Sequence, residues 1–336
     1  AMYNFYRQGW VVGRLVRLAE TVFGSRPLVV SLPYQDVISP DNNQRDYLTF
    51  LLFGEGASQV VEAIRSKFAS ERFFWLNPEP RFNLGRNSFG PAPPVLAGVR
   101  ARGFGKIGPA EVELSGFDRI PTDDWPFLYL REPTIPGLNL RGMAVVGVLS
   151  LVILLAFAPV RRARPSGRMF FLGAGFMLLE TKGVVHMALL FGATWMVNSI
   201  VFFAILTMIL LSNLYVLAVR PRRLGLYYAL LLATLAVNSL IPMDDFLALP
   251  GSIKVIASCT VVFLPVFFAG VIFATSFGSS TQPDVDFGSN IGGIILGGLS
   301  ENFSLVLGFN HLIWIAIGYY AISALFRSKA RPGPQG

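Results

Sequence analysis

The chain has 336 residues, of which 53% are hydrophobic and 14% charged, a charge fraction well below the roughly 25% of ordinary soluble domains. Its formal charge of +8 is unevenly carried: residues 1–137 hold 15 Lys and Arg against 14 Asp and Glu, residues 138–336 hold 13 against 6. The basic excess sits at the ends of apolar runs, where it sets orientation and argues against nucleic acid as a partner. The single cysteine, Cys259, excludes a disulfide framework or a Cys-based metal site within the chain.

In chain order, residues 10–23 (WVVGRLVRLAETVF) have apolar residues at helical spacing and residues 27–32 (PLVVSL) form a short β-rich run. Residues 57–69 (ASQVVEAIRSKFA) read as helix and residues 72–76 (RFFWL) as strand, an alternation that suggests part of an α/β sheet domain. Residues 77–109 are rich in Pro and Gly with little periodicity, so residues 1–137 read as a small, truncated α/β domain. GFGKIG at 103–108 lacks the preceding strand and following helix that a phosphate- or cofactor-cradling loop needs, and GEG at 54–56 reads as a turn before a helix. In the junction that follows, Asp123 and Asp124 suit a turn whose side chains bond nearby amides. Trp125, Phe127 and Tyr129 alternate just ahead of the first apolar run, where they fit an interfacial anchor.

Seven stretches from there on are apolar enough to cross a bilayer: about 142–160, 168–191, 196–219, 224–241, 253–277, 287–307 and 312–326. The predicted fold is therefore a mainly α, polytopic bundle over residues 138–326, with the α/β domain ahead of it and a basic cytoplasmic tail at 327–336. The sixth stretch is Gly-rich and carries Asn290 and Glu301, which fits a packed inner helix or a broken, re-entrant segment. Gly292, Gly293, Gly297 and Gly298 there are expected to pack closely on a neighbouring helix. Ten Lys and Arg flank the spans at 161–168, 220–223 and 327–331, against Arg141 and Lys254 on the opposite side, which makes the first side cytoplasmic.

The second stretch carries Glu180, Lys182 and His186 near its middle, and ionisable groups at that depth face a bundle interior or a cavity. At about 100° per residue, Glu180 and Lys182 lie about 160° apart around the axis, so the three do not form one stripe along which an ion could pass. Pairing with neighbouring helices is the expected role, Lys182 with Glu301 in particular. Asn198, Asn213 and Asn238 are expected to make interhelical hydrogen bonds. No metal site is expected, since the only other histidine, His311, lies at a distant span end.

Four segments carry a family resemblance: YNFYRQGWVVGRL at 3–15, TDDWPFLYL at 122–130, FFLGAGFMLLETKGVVHMALLFGATWMVNS at 170–199 and FGSNIGGIILGGLSENFSLVLGF at 287–309. In this order they resemble bacterial membrane proteins in which a spermidine/spermine synthase-like domain, of the S-adenosylmethionine methyltransferase type, is joined to transmembrane helices. The resemblance implies that residues 1–75 correspond to the last strands and helices of a Rossmann-like domain. In that family the glycine-rich cofactor loop, the ribose-binding acid and the catalytic Asp lie upstream of the YNFYRQGW-like segment. It follows from the resemblance that this chain carries no catalytic or cofactor-binding residue, and that S-adenosylmethionine or its decarboxylated form would enter only with an upstream half.

The resulting expectation is a non-catalytic accessory or scaffold subunit of a larger membrane complex, respiratory or photosynthetic in type, in a bacterial inner membrane, with the bilayer and other subunits as partners. Two alternatives stand beside it: the C-terminal part of an aminopropyl- or methyltransferase, and a transporter or channel. The charge pattern places residues 1–137 in the periplasm. With Cys259 replaced by alanine, a cysteine engineered near Arg100 should react with an impermeant maleimide from the periplasmic side, and labelling from the cytoplasm alone would overturn the orientation.

Overall fold

The computed structural model describes residues 2–6, 9–35, 45–54, 56–67, 74–76, 110–112, 114, 117–157, 164–192, 194–241 and 243–326. The chain is mainly helical and divides into two compact units, Ala1–Thr122 with Pro126–Pro133, and Asp123–Trp125 with Thr134–Gly336.

In the first unit, β1 (Met2–Tyr6), α1 (Gly9–Phe23), β2 (Leu28–Gln35) and β3 (Arg45–Leu52) build a sheet of order β1-β3-β2. β3 is antiparallel to both neighbours, with Met2 opposite Leu51 and Leu28 opposite Leu52. β1 and β2 therefore run parallel, and α1 is the crossover between them. The helix buries Trp10, Val11, Val12, Leu15, Val16 and Ala19, and Leu28, Val29 and Leu51 of the strands are buried too. Gly54 and Gly56 turn the chain at positive φ into α2 (Ala57–Lys67), as the sequence suggests. A short parallel pair, β4 (Phe74–Leu76) with β5 (Ala110–Val112), completes the described strands. GFGKIG lies outside the described residues.

Arg14 sits in the middle of the buried face of α1 and is fully buried. Its Nη1 donates to the carbonyls of Leu128 (2.8 Å) and Leu130 (2.7 Å), and its Nη2 to that of Arg131 (2.9 Å). The guanidinium lies 4.8 Å from the Trp10 ring centre. Burial lowers its pKa from the ordinary arginine value, and the charge of Asp118 works in the opposite direction. One side chain thus supplies donors to several carbonyls of an irregular turn at once.

All seven apolar stretches of the second half are helical: α3 (Gly137–Phe157), α4 (Gly167–Phe191), α5 (Trp195–Val219), α6 (Leu224–Leu240), α7 (Gly251–Gly278), α8 (Pro283–Ser300) with the short α9 (Ser304–Leu307), and α10 (Leu312–Leu325). Five of them, α3, α4, α5, α7 and the α8–α9 run, are long and apolar enough to cross a membrane; α6 and α10 are shorter apolar helices. The α8–α9 run extends through the unit. Near its start Ser289 Oγ accepts from Ser166 N at the beginning of α4 (2.9 Å), and near its end Asn302 meets Asn139 at the beginning of α3 (3.5 Å).

α4 is the central helix, packed against α8, α10, α7 and α5. Its buried positions, Leu172, Gly173, Leu179, Lys182, Gly183, His186 and Met187 among them, recur at helical spacing. Against α8 the two backbones nearly touch. A Cβ on Gly293 would overlap the Phe170 carbonyl, one on Gly297 would stand 2.5 Å from the Ala174 carbonyl, and one on Gly173 would overlap that of Asn290. Asn290 Nδ2 donates across the seam to Met169 O (3.1 Å). The expected glycine face is thus carried by Gly293 and Gly297. Gly292 meets only the Phe170 ring at 3.4 Å, and Gly298 has nothing within 4 Å, because it falls on the far side of the helix.

Gly293→Val should push α4 and α8 apart at a cost of about 3 kcal/mol, at the upper end of overpacking penalties, whereas Gly298→Ala should leave stability unchanged. Thermal unfolding in detergent checks both; equal effects would mean that the seam lies elsewhere.

Candidate functional site

The polar residues of α4 sort by angle. Lys182 and His186, one turn apart, are both 4% exposed and lie on the buried stripe, while Glu180 and Thr181 are half-buried on other faces. Lys182 Nζ donates to Asn238 Oδ1 of α6 (3.4 Å), and Asn238 Nδ2 donates to the carbonyls of Val261 (3.3 Å) and Val262 (3.4 Å) in α7. These carbonyls stand one turn before Pro265, which sits inside α7 and has no N–H to offer the residue four positions back. Asn238 therefore gives the orphaned Val261 carbonyl a donor, and in an apolar surrounding such a carbonyl would otherwise stay unsatisfied.

The expected partnership of Lys182 with Glu301 is not formed. Glu301 Oε2 instead accepts from Thr181 Oγ1 at 3.5 Å, since residue 181 is turned about 100° away from residue 182 and faces the α8 side. Glu180 has no side-chain partner among the described residues. Of the three asparagines, Asn238 makes the expected interhelical bonds; Asn198 and Asn213 lie on exposed faces of α5 and make none among the described residues.

One turn beyond Lys182, His186 Nε2 meets Asn310 Oδ1 at 3.1 Å. An amide oxygen only accepts, so Nε2 carries the proton and Nδ1 is left as an acceptor, which is buried and has no partner among the described residues. Asn310 is fixed in turn by Asp124, whose Oδ1 accepts from Asn310 N (2.7 Å) and whose main-chain O accepts from Phe309 N (2.8 Å). Gly308 makes this approach feasible: it sits at φ +95, and a Cβ there would stand 2.5 Å from the Asp124 carboxylate. Trp125 closes the arrangement. It is fully buried and its Nε1 donates to Leu305 O (2.8 Å), which makes it a pin in the packed interior and not the interfacial ring expected beside Phe127 and Tyr129. Tyr129 is 68% exposed and Phe127 half-buried.

Asp123, Asp124, His186, Asn238 and Asn310 line a cleft of about 360 Å³, closed on its other sides by the apolar ends of α4 and α6. No group of three or more His, Cys, Asp or Glu able to hold a metal occurs among the described residues. The cleft is lined by the His186 ring, two carboxylates and the amides of Asn238 and Asn310, and the Lys182 ammonium lies behind Asn238. That set suits hydrogen bonding of a small polar group; it contains no nucleophile paired with a base. No family model, curated protein or solved structure matches the chain.

The cluster predicts a specific coupling. Lys182→Met and Asn238→Leu should each lower detergent thermal stability, and the double variant should lose less than the sum by about 1 kcal/mol, the scale of an interhelical polar pair. Lys182→Met and Glu301→Gln should be additive. The opposite pattern would restore the Lys182–Glu301 pairing.

Proposed function

We propose that this chain is a non-catalytic, membrane-integral accessory or scaffold subunit of a larger membrane complex, spanning a bacterial inner membrane seven times, with its N-terminal α/β unit on the periplasmic side. The observation that carries this reading is α3. It is apolar all round and long enough to cross a bilayer, yet none of its described residues is buried, and α8 is its principal helix neighbour among the described elements. Val145, Val148, Leu151 and Val152 are each more than half exposed. A single span held so loosely by its own chain suits a helix that packs into another subunit. Lys182, His186 and Thr181 of α4, which a transporter would line up along a path, are tied instead to Asn238, Asn310 and Glu301.

A second reading, the C-terminal part of an aminopropyl- or methyltransferase, draws support from the first unit. Parallel β1 and β2 joined through α1 form the crossover from which doubly wound sheets are built. On that reading S-adenosylmethionine binds only when an upstream half is present, and the membrane half is an anchor.

A photo-crosslinking residue at Val148, introduced into the chain in its native membrane, should give one discrete heteromeric product, while one at Phe203 on the outer face of α5 should give none. Adducts with lipid alone from both positions would remove the scaffold reading. Calorimetry of the purified chain with S-adenosylmethionine should show no saturable heat, and micromolar binding would replace the proposal with the enzyme reading.

A further inference from the structure

The opposite end of the helical unit holds a second cleft, of about 440 Å³, that the reading above leaves without a role. It lies between the start of α4, the end of α7 and the start of α8, with Arg164, Arg168, Ser276, Ser280 and Asp286 among its lining residues. Three observations there are independent of one another. Arg168 is locked in place by its Nε and Nη2, both of which donate to the Phe326 carbonyl at the end of α10, while its Nη1 is enclosed and has no partner among the described residues. Ser276 is 4% exposed and lines the cleft, yet its Oγ also has no partner among the described residues, although a serine in a helix ordinarily bonds back to the preceding turn. α4, 25 residues long, begins at the cleft floor, so the first-turn amides of Gly167 and Arg168 have no intrahelical acceptor.

Residues that carry unused donors of three kinds, the Arg168 guanidinium, the Ser276 hydroxyl and the helix-start amides, line one polar cavity, and Arg164 adds an exposed guanidinium at its rim. Asp286 is the one carboxylate among the lining residues. It lies in the first turn of α8, as Asp284 does, so the positive end of α8 is already answered from its own sequence. The start of α4 has no acidic residue in its first turn, and its N-cap, Ser166, accepts only from Met169 N, which leaves the amides of Gly167 and Arg168 uncapped. The group that fits is a phosphate, which takes several charge-assisted hydrogen bonds at once.

We propose that this cleft holds the phosphate of an anionic phospholipid headgroup in the cytoplasmic leaflet. The inference rests on the membrane orientation proposed above, which puts the start of α4 and the ends of α5, α7 and α10 on the side with ten basic residues, where anionic headgroups collect. Met169, Val285 and Phe326 give the cleft an apolar flank along which an acyl chain can leave.

The test uses the whole chain reconstituted in liposomes and then examined in detergent by native mass spectrometry with phosphatidylglycerol, phosphatidylcholine or inorganic phosphate. Resistance of the reconstituted chain to alkaline carbonate extraction is measured first; failure at that step removes the membrane reading itself and not only this site. Given incorporation, one phosphatidylglycerol per chain should be retained in preference to phosphatidylcholine. Arg164→Gln and Ser276→Ala, which remove no bond seen in the fold, should each weaken retention about tenfold, the equivalent of one charge-assisted hydrogen bond. Arg168→Gln should weaken it further. Equal retention of both lipids, or unchanged retention in Arg164→Gln and Ser276→Ala, would overturn the site. Stabilisation by millimolar inorganic phosphate with no preference among lipids would assign the same donors to a soluble phosphate and overturn the lipid.

Discussion

The contact on which the helical unit depends is the near approach of the α4 and α8 backbones at Gly173, Gly293 and Gly297. Apolar side chains gain nothing by leaving lipid for one another, so helices in a bilayer are held by close packing and by hydrogen bonds between them. Both are present at this seam. Side-chain-free positions admit carbonyls of the facing helix, and Asn290 reaches across to Met169 O. At its start the seam is extended by Ser166 with Ser289, and the α10 side of α4 is tied by Ser323 Oγ donating to Arg168 O, with Tyr228 Oη bonded to the same serine. Tyr320 of α10 lies flat enough against Gly175 that a Cβ there would meet its ring at 2.8 Å.

With α4 held in this register, its two buried ionisable groups are aimed away from α8. Lys182 reaches Asn238, and through it the α7 carbonyls released by Pro265; His186 reaches Asn310, and through it Asp124. Both chains of hydrogen bonds end on an irregularity of the backbone: a proline inside a helix, and a loop that enters beside Gly308. The costly groups of α4 act as joints of the bundle, and buried polar atoms without a partner among the described residues remain beside them, His186 Nδ1 toward one end and Arg168 Nη1, Thr275 Oγ1 and Ser276 Oγ toward the other.

The helices were legible because long apolar runs bounded by Arg, Pro and Gly leave few alternatives, and all seven fall within about five residues of the bounds read from sequence. Which face each glycine occupies was less so. Gly293 and Gly297 are four apart and share the α4 side, whereas Gly298, one residue on, turns outward; composition alone treats them alike. The partner of Lys182 was not legible, because it depends on which neighbouring helix stands at residue 182 and which at residue 181. Trp125 sits one residue from Asp124 in an aromatic stretch and looks interfacial until the turn carrying Leu305 is placed over it. Arg14 hides among valines and leucines, and its role appears only with the distant carbonyls of residues 128–131. The β3 strand, RDYLTFLL, does carry a legible signal: the turn residues Pro40, Asp41, Asn42 and Asn43 precede it, Gly54 follows it, and β-prone Tyr47, Thr49 and Phe50 lie between.

The most direct test of the α4–α8 seam is a disulfide. In a chain with Cys259 replaced by alanine, Ser166→Cys and Ser289→Cys introduce two thiols at positions where Ser166 N and Ser289 Oγ are 2.9 Å apart. Mild oxidation of native membranes carrying the double variant should join them within one chain, seen as a mobility shift reversed by reductant and absent from either single variant. If both thiols instead remain free to a maleimide after oxidation, α4 does not lie along α8 in this register, and the placement of Lys182 and His186 that follows from it fails as well.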